Sequence, residues 1–152
     1  MKKFVNLLIL FATVLFTACS DTVETPDVVE VRSHDLEGVW KLEALSGTPL
    51  AENTYVYVVL DRKYAFEVYD NTASMYPVLT TGEYELTEDW RLGYIISGTY
   101  DYGLGVWGHE YVITELSKES MVWTAKDDVA YAQRFVRVNE VPKSIVDMVR
   151  KE

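Results

Sequence analysis

The clearest period of two residues in the chain lies within Leu79-Thr80-Thr81-Gly82-Glu83-Tyr84-Glu85-Leu86-Thr87. Tyr84 and Leu86 share one side of this segment with Gly82, and the two glutamates share the other side. A period of two residues is typical of a β-strand that has one buried and one hydrated face. The segment therefore predicts a strand whose tyrosine side faces a protein core.

Seven other segments of similar character surround this one. They are short, rich in aromatic and β-branched residues, and separated by turn residues. The eight predicted strands cover residues 38–45, 54–60, 64–69, 79–87, 91–100, 106–116, 120–126 and 129–138. Eight sequential strands with short links predict an all-β antiparallel meander. Closure into an eight-stranded up-and-down barrel removes its exposed edges, although a two-sheet sandwich would show a similar pattern.

The C-terminal tail, residues 141–152, has a different pattern. Ile145, Met148 and Val149 recur at helical spacing, with Pro142 near the start and basic residues in the last turn. This predicts a short helix that packs on the outside or at one end of the barrel.

The first 18 residues have the pattern of a secretory signal. Lys2 and Lys3 precede an apolar stretch, residues 4–16, and Ala18 comes directly before Cys19, the only cysteine of the chain. A signal needs a positive start, roughly 7–15 apolar residues and a small residue at the cut. The stretch is shorter than the about 20 residues of a membrane-spanning helix.

The run Phe16-Thr17-Ala18-Cys19 resembles the lipobox of a bacterial lipoprotein signal, with Phe16 in the place that leucine usually holds. The resemblance implies cleavage before Cys19 and attachment of acyl chains such as palmitate to that residue. Several acyl chains on one residue make a durable membrane anchor. We therefore expect a mature protein that is lipid-anchored in the cell envelope.

Residues 19–35 are polar and acidic, contain Pro26 and show no apolar period. A segment of such composition buries too little apolar surface to fold by itself. This predicts a flexible linker, followed by a barrel at residues 36–140. In some Gram-negative lipoproteins, acidic residues after the lipidated cysteine direct export to the outer membrane. By that resemblance we expect the outer membrane, at its periplasmic face or at the cell surface.

The net charge of the chain limits the classes of partner that it is expected to bind. The formal net charge is −10, and removal of Lys2 and Lys3 with the signal changes it to −12. An acidic surface repels nucleic acid and anionic headgroups. The expected partners are therefore the membrane through its lipid anchor and a small hydrophobic ligand or an envelope protein, and nucleic acid is excluded.

The first predicted strand opens with Leu36-Glu37-Gly38-Val39-Trp40-Lys41-Leu42, and two arginines, Arg134 and Arg137, lie near the end of the last strand. The Gly-x-Trp element, the eight-strand count and the terminal arginine resemble the lipocalin-like domains, of which this chain would be a short, divergent member. The resemblance implies that Trp40 plugs the closed end of the barrel, beside Gly38, and that an arginine packs over it.

Strand parity favours Arg137 for this role. Arg137 shares a side of its strand with Tyr131 and Phe135, the more plausible inward aromatic residues, and it lies closer to the strand end. A guanidinium over an indole face forms a favourable cation-π pair. Arg134 remains open as the alternative.

The interior of an eight-stranded barrel is either filled by side chains or holds one small ligand. Aromatic residues and one histidine fall on the strand faces predicted to point inward. These candidate ligand-binding residues are Tyr57, Tyr64, Phe66, Tyr84, Tyr94, Trp107, His109, Tyr111 and Trp123. Two functions follow: a tethered binding protein for a small hydrophobic or amphipathic ligand, or a filled barrel whose loops, residues 70–80 and 101–106, contact a partner protein.

The chain has few combinations of residues that could form a catalytic or metal site. The chain has two histidines, His34 and His109, and one cysteine, so it lacks the usual zinc-ligand spacing, and no Gly-x-Ser-x-Gly elbow accompanies His109. Hydrolase chemistry would need paired carboxylates such as Glu83 and Glu85, which alternation places opposite Tyr84. We therefore expect no enzyme, no catalytic residues, no cofactor and no metal.

Overall fold

A closed antiparallel barrel forms the body of the protein in the computed structural model, which describes residues 30–150. The predicted signal peptide, Cys19 and the linker up to residue 29 lie outside the described residues. The strands are β1 (Gly38–Leu45), β2 (Thr48–Pro49), β3 (Val56–Leu60), β4 (Ala65–Asp70), β5 (Val78–Asp89), β6 (Gly93–Tyr100), β7 (Tyr111–Thr114), β8 (Ser120–Ala125) and β9 (Ala132–Val138). The helices are α1 (Ser33–Leu36), a 3-10 turn (Asp101–Gly103) and α2 (Lys143–Val149).

The pairing of β1 closes the barrel. Trp40 of β1 lies opposite Val58 of β3 on one side and opposite Arg137 of β9 on the other. From β3 to β9, every strand pairs antiparallel with the next one in the chain. β2 is a two-residue extension that folds back onto the end of β1, where Leu45 lies opposite Thr48. The prediction of an eight-stranded up-and-down barrel with a short C-terminal helix is thus confirmed, with β2 as a minor ninth strand.

The barrel has a filled half and an open half. The core of the filled half consists of large side chains that exclude solvent almost completely: Trp40, Leu60, Phe66, Tyr84, Ile96, Met121 and Phe135. Gly82 makes room for the Phe66 ring, since a Cβ at this position would overlap both that ring and the carbonyl of Thr99. The end of the barrel that carries Trp40 is called the closed end below.

Arg137 covers the closed end. Its guanidinium carbon lies 4.1 Å from the centre of the Trp40 ring. Its Nη2 donates a hydrogen bond to the carbonyl of Asp35 (2.9 Å), its Nη1 donates to the carbonyl of Glu37, and its Nε donates to the carbonyl of Lys118 (2.7 Å). One side chain therefore joins the end of α1, the start of β1 and the β7–β8 loop.

The last residues of the predicted linker are ordered, which corrects the boundary placed at residue 35. Val31 is only 6% exposed, Leu36 is fully buried, and α1 begins at Ser33. The carbonyl of Leu36 accepts a hydrogen bond from Nε1 of Trp40 (2.8 Å). The acidic composition of the segment conceals one apolar side chain, that of Val31, which packs into the closed end, so the folded part of the chain begins before residue 36.

The C-terminal helix packs on the outer face of β3 and β4. Ile145 of α2 is buried in a small cluster with Tyr57 and Tyr69, which point away from the barrel interior, and Val149 packs against the same cluster. Met148, predicted to share the apolar stripe, is half exposed. This second apolar layer explains why both faces of β3 consist of apolar residues.

Replacement of Arg137 tests the closed end. We expect Arg137→Met to lower the free energy of unfolding by about 2–4 kcal/mol, because three carbonyls lose a charged donor. Arg134→Met is the matched control: Arg134 pairs with Glu115 at the surface (2.9 Å), and loss of an exposed pair costs below about 1 kcal/mol. Urea unfolding of both variants gives the measurement, and equal losses would contradict this account of the closed end.

Candidate ligand-binding site

A cavity of about 350 Å³ occupies the end of the barrel away from Trp40. Its position follows from the strand ends that line it, the C-terminal ends of β1, β4 and β6 and the N-terminal ends of β3 and β9. The lining residues are Leu42, Leu45, Leu50, Val56, Val58, Val68, Asp70, Thr72, Tyr100, Trp107, Gly108, Tyr111, Trp123, Tyr131 and Gln133. We call this space the mouth cavity.

Stacked aromatic rings lie between the mouth cavity and the filled half. The indoles of Trp107 and Trp123 stack with centroids 5.4 Å apart and planes inclined by 28°. Trp107 also contacts Phe66 (5.1 Å), and Trp123 contacts Phe135 (4.8 Å). Because Phe66 and Phe135 belong to the filled core, both indoles pack on the core on one side and present apolar rings to the cavity on the other.

Gly98 allows Trp107 to occupy this position. A Cβ at Gly98 would overlap the Trp107 indole, so the ring lies flat against the backbone of β6. The amide of Trp107 also donates a hydrogen bond to the carbonyl of Gly98 (2.8 Å). A glycine within a strand commonly marks such a close approach.

A few polar groups interrupt the apolar lining. Nε2 of Gln133 donates hydrogen bonds to the hydroxyls of Tyr111 (3.3 Å) and Tyr131 (3.5 Å). Burial raises the pKa of Tyr111 to about 12, and burial also raises the pKa of Tyr100, with a smaller contribution from Asp70. These hydroxyls are therefore neutral at physiological pH and are able to donate hydrogen bonds.

Trp123 carries a buried donor that the protein leaves unused. Its Nε1 has no hydrogen-bond acceptor among residues 30–150. Buried polar groups are almost always paired, and an unpaired one costs about 1–3 kcal/mol. Trp123 thus stands out among the cavity residues as a group whose hydrogen-bonding capacity is unmet.

Three of the nine predicted ligand-binding residues, Trp107, Tyr111 and Trp123, line the mouth cavity. Phe66 and Tyr84 point inward but belong to the filled half. There the hydroxyl of Tyr84 donates a hydrogen bond to the carbonyl of Asp61 (2.7 Å), and burial raises the pKa of Tyr84 to about 12.

Tyr94 and His109 take other positions at opposite ends of the barrel. Tyr94 lies at the start of β6, at the closed end, where it is partly buried against the core. His109 lies at the mouth outside any strand, with its Nδ1 2.7 Å from a carboxylate oxygen of Asp127 and its ring 5.0 Å from that of Tyr131.

Two predicted positions were wrong. Tyr57 points outward under α2. The prediction failed because β3 consists of five successive apolar residues, Val56–Leu60, which do not indicate which face is inside. Tyr64 lies in the β3–β4 turn with a positive φ of 67° and is 45% exposed. The carboxylate of Asp61 accepts the amides of Lys63 and Ala65 (both 2.8 Å), which holds Tyr64 in the turn rather than in β4.

The strand predicted at residues 106–116 is also shorter than expected. Only Tyr111–Thr114 forms β7, although Val106 makes an isolated bridge with Thr99. Two additional residues interrupt the pairing with β6, so His109 does not share a strand face with Trp107 and Tyr111. The sequence shows no break in the alternation here, since a pairing register depends on both strands.

Sequence reasoning missed several cavity residues, of which Tyr100 and Gln133 carry the polar chemistry. Parity was sufficient to find both: Tyr100 shares a strand side with Ile96, and Gln133 shares one with Phe135. The aliphatic residues of β1, β3 and β4 were missed because their apolar character is equally compatible with a filled core.

Among residues 30–150, no group of three or more histidine, cysteine or acidic side chains is arranged to hold a metal ion. Glu83 and Glu85 are exposed on the outer face of β5. Within the same part of the chain, no helix has the length and apolarity needed to cross a membrane.

A family model matches most of the barrel. The model of the lipocalin-like domain matches residues 36–123, more than half of the chain, from the end of α1 to Trp123 in β8. Comparisons with curated proteins and with solved structures gave no significant match. Together with the closed eight-stranded barrel and its tryptophan plug, the family match shows that this chain belongs to the lipocalin-like domain family.

Proposed function

We propose that this protein binds a small hydrophobic or amphipathic molecule in its mouth cavity, while a lipid on Cys19 holds it at the bacterial cell envelope. The observation that carries the proposal is an apolar cavity of about 350 Å³ directly above a filled core. Pockets for small ligands are concave, mainly apolar, and about 300–1,000 Å³ in volume. The lipocalin-like barrel supports the same general activity.

The lining of the mouth cavity supports a ligand with a long apolar part. Leu42, Val58 and Val68 form aliphatic walls, and Trp107 and Trp123 form an aromatic floor. Because this floor packs on buried side chains, it loses little conformational entropy when a ligand binds. The hydroxyl of Tyr111 offers a polar contact.

The end of the barrel at which the described chain begins supports membrane attachment through a lipid on Cys19. The described residues begin with Glu30 and Val31 at the closed end, opposite the mouth cavity. The 11 residue steps from Cys19 to Glu30 span at most about 40 Å. A lipid on Cys19 would thus attach the barrel by its closed end and leave the mouth accessible. By the resemblance stated above, the proposed membrane is the outer membrane.

A second function, contact with a partner protein, is favoured by apolar side chains around the mouth. Met75 of the β4–β5 loop and Tyr102 of the β6–β7 loop are almost fully exposed, and Tyr76 and Leu104 of the same loops are mostly exposed. A hydrogen bond from Thr81 to Asp101 (2.5 Å) holds the bases of the two loops together. Exposed apolar patches commonly mark interaction sites.

A cavity-filling variant distinguishes the two functions. We expect the chain from residue 19 onward, recovered from an envelope extract, to carry a small molecule in native mass spectrometry. Val68→Trp places an indole in the mouth cavity and should abolish that mass. Thr87→Trp adds the same side chain at an exposed position of β5 and should retain it. A wild-type chain without ligand, or equal occupancy in both variants, would contradict the ligand-binding proposal and favour the second function.

The tether is tested on the full chain. Metabolic labelling with a palmitate analogue should modify the wild-type protein and place it in the membrane fraction, because acyl chains on one cysteine anchor stably. Cys19→Ser should lose both the label and the membrane association, and Ser20→Ala should retain both. An unlabelled wild-type chain with a free Cys19 thiol would refute the tether without affecting the ligand-binding proposal.

A further inference from the structure

The barrel wall is interrupted between β6 and β7. Ile96 of β6 lies opposite Tyr111, and the next pair is the bridge between Thr99 and Val106. Two residues of β6, 97–98, therefore face four residues of the other segment, 107–110. The two additional residues form an enlarged bulge, and bulges commonly occur beside functional sites.

An outer groove of about 640 Å³ lies over this interruption. We call it the wall groove. Its lining residues are Ser97, Gly98, Thr99, Val106, Trp107, Gly108, His109, Glu110, Lys126 and Asp127. Trp107 and Gly108 line both the wall groove and the mouth cavity. A Cβ at Gly108 would meet no other atom within 4 Å, so the junction of the two spaces is free of side-chain obstruction at this residue.

The wall groove has a different chemistry from the mouth cavity. Glu110 pairs with Lys126 (2.9 Å) and Asp127 with His109 (2.7 Å), yet the side chains of Glu110 and Asp127 remain 56% and 68% exposed. The lining of the wall groove thus holds two carboxylates, those of Glu110 and Asp127, against one lysine, Lys126. Exposed carboxylates that share a lining with an indole, here that of Trp107, are an environment in which organic ammonium groups bind.

We propose that the ligand is a single-chain amphiphile with a positively charged head group, whose tail lies in the mouth cavity and whose head lies in the wall groove. The chain would pass through the barrel wall beside Gly108. This inference rests on the proposed function, since it requires that the mouth cavity bind an apolar tail. It adds the charge of the head group and a lateral route through the wall.

Two probes with the same tail test the inference. Dodecyltrimethylammonium, below its micelle concentration, carries the cationic head, and dodecanol carries none. We expect the double variant Glu110→Gln/Asp127→Asn to weaken binding of the cationic probe roughly fivefold or more, because the groove loses its negative charge. Dodecanol binding should be unchanged, which also shows that the variant is folded. Titration of the chain from residue 19 onward, followed by tryptophan fluorescence, gives both affinities.

The matched control is Glu83→Gln/Glu85→Gln, which changes the net charge of the protein by the same amount on an exposed strand face outside the groove. It should leave both affinities nearly unchanged. Lys126→Gln should strengthen binding of the cationic probe, since Glu110 then lacks its partner.

The outcomes separate the inference from the proposed function. If neither probe binds, the proposed function fails and the inference fails with it. If both probes bind and the groove variant behaves like the Glu83/Glu85 control, the inference alone is overturned. A selective loss of the cationic probe in the groove variant supports the head-group site.

Discussion

The contact of Arg137 with Trp40 is the interaction on which the rest of the structure depends. A meander of eight strands becomes a barrel only when its last strand returns to its first, and this contact lies where β9 meets β1. The same guanidinium donates hydrogen bonds to carbonyls of α1, of the residue before β1 and of the β7–β8 loop. Charged donors form stronger hydrogen bonds than neutral ones, so one partly buried arginine organises the closed end.

Closure of one end makes the barrel asymmetric. Above the plug, Phe66, Tyr84 and Phe135 fill the interior, and the Trp107–Trp123 stack ends the filled half. The remaining space is concentrated at the mouth, where Gly98 admits the Trp107 indole and Gly108 leaves its surroundings free of side-chain atoms. The aromatic residues of this chain thus serve as core in one half and as binding surface in the other, and their position along the barrel decides between the two roles.

Sequence periodicity was sufficient for the architecture and insufficient for the site. Alternation in residues 79–87 predicts β5 and its inward face, and strand parity correctly favours Arg137 over Arg134 as the residue that packs on Trp40. Parity fails at Tyr57, because a helix distant in sequence covers the outer face of β3 and makes both faces apolar. The bulge that sets the position of His109 depends on the register between two strands, which a single strand does not encode.

The four tryptophans allow the central claim, a binding cavity above a filled core, to be tested in one spectrum. Trp107 and Trp123 lie at the mouth cavity, Trp40 lies at the closed end with its Nε1 bonded to Leu36, and Trp90 is 77% exposed on the surface. In a ¹⁵N–¹H correlation spectrum, addition of dodecanol should shift the indole signals of Trp107 and Trp123 and leave those of Trp40 and Trp90 unchanged. A shift confined to Trp90, or equal shifts at Trp40 and Trp107, would contradict the account.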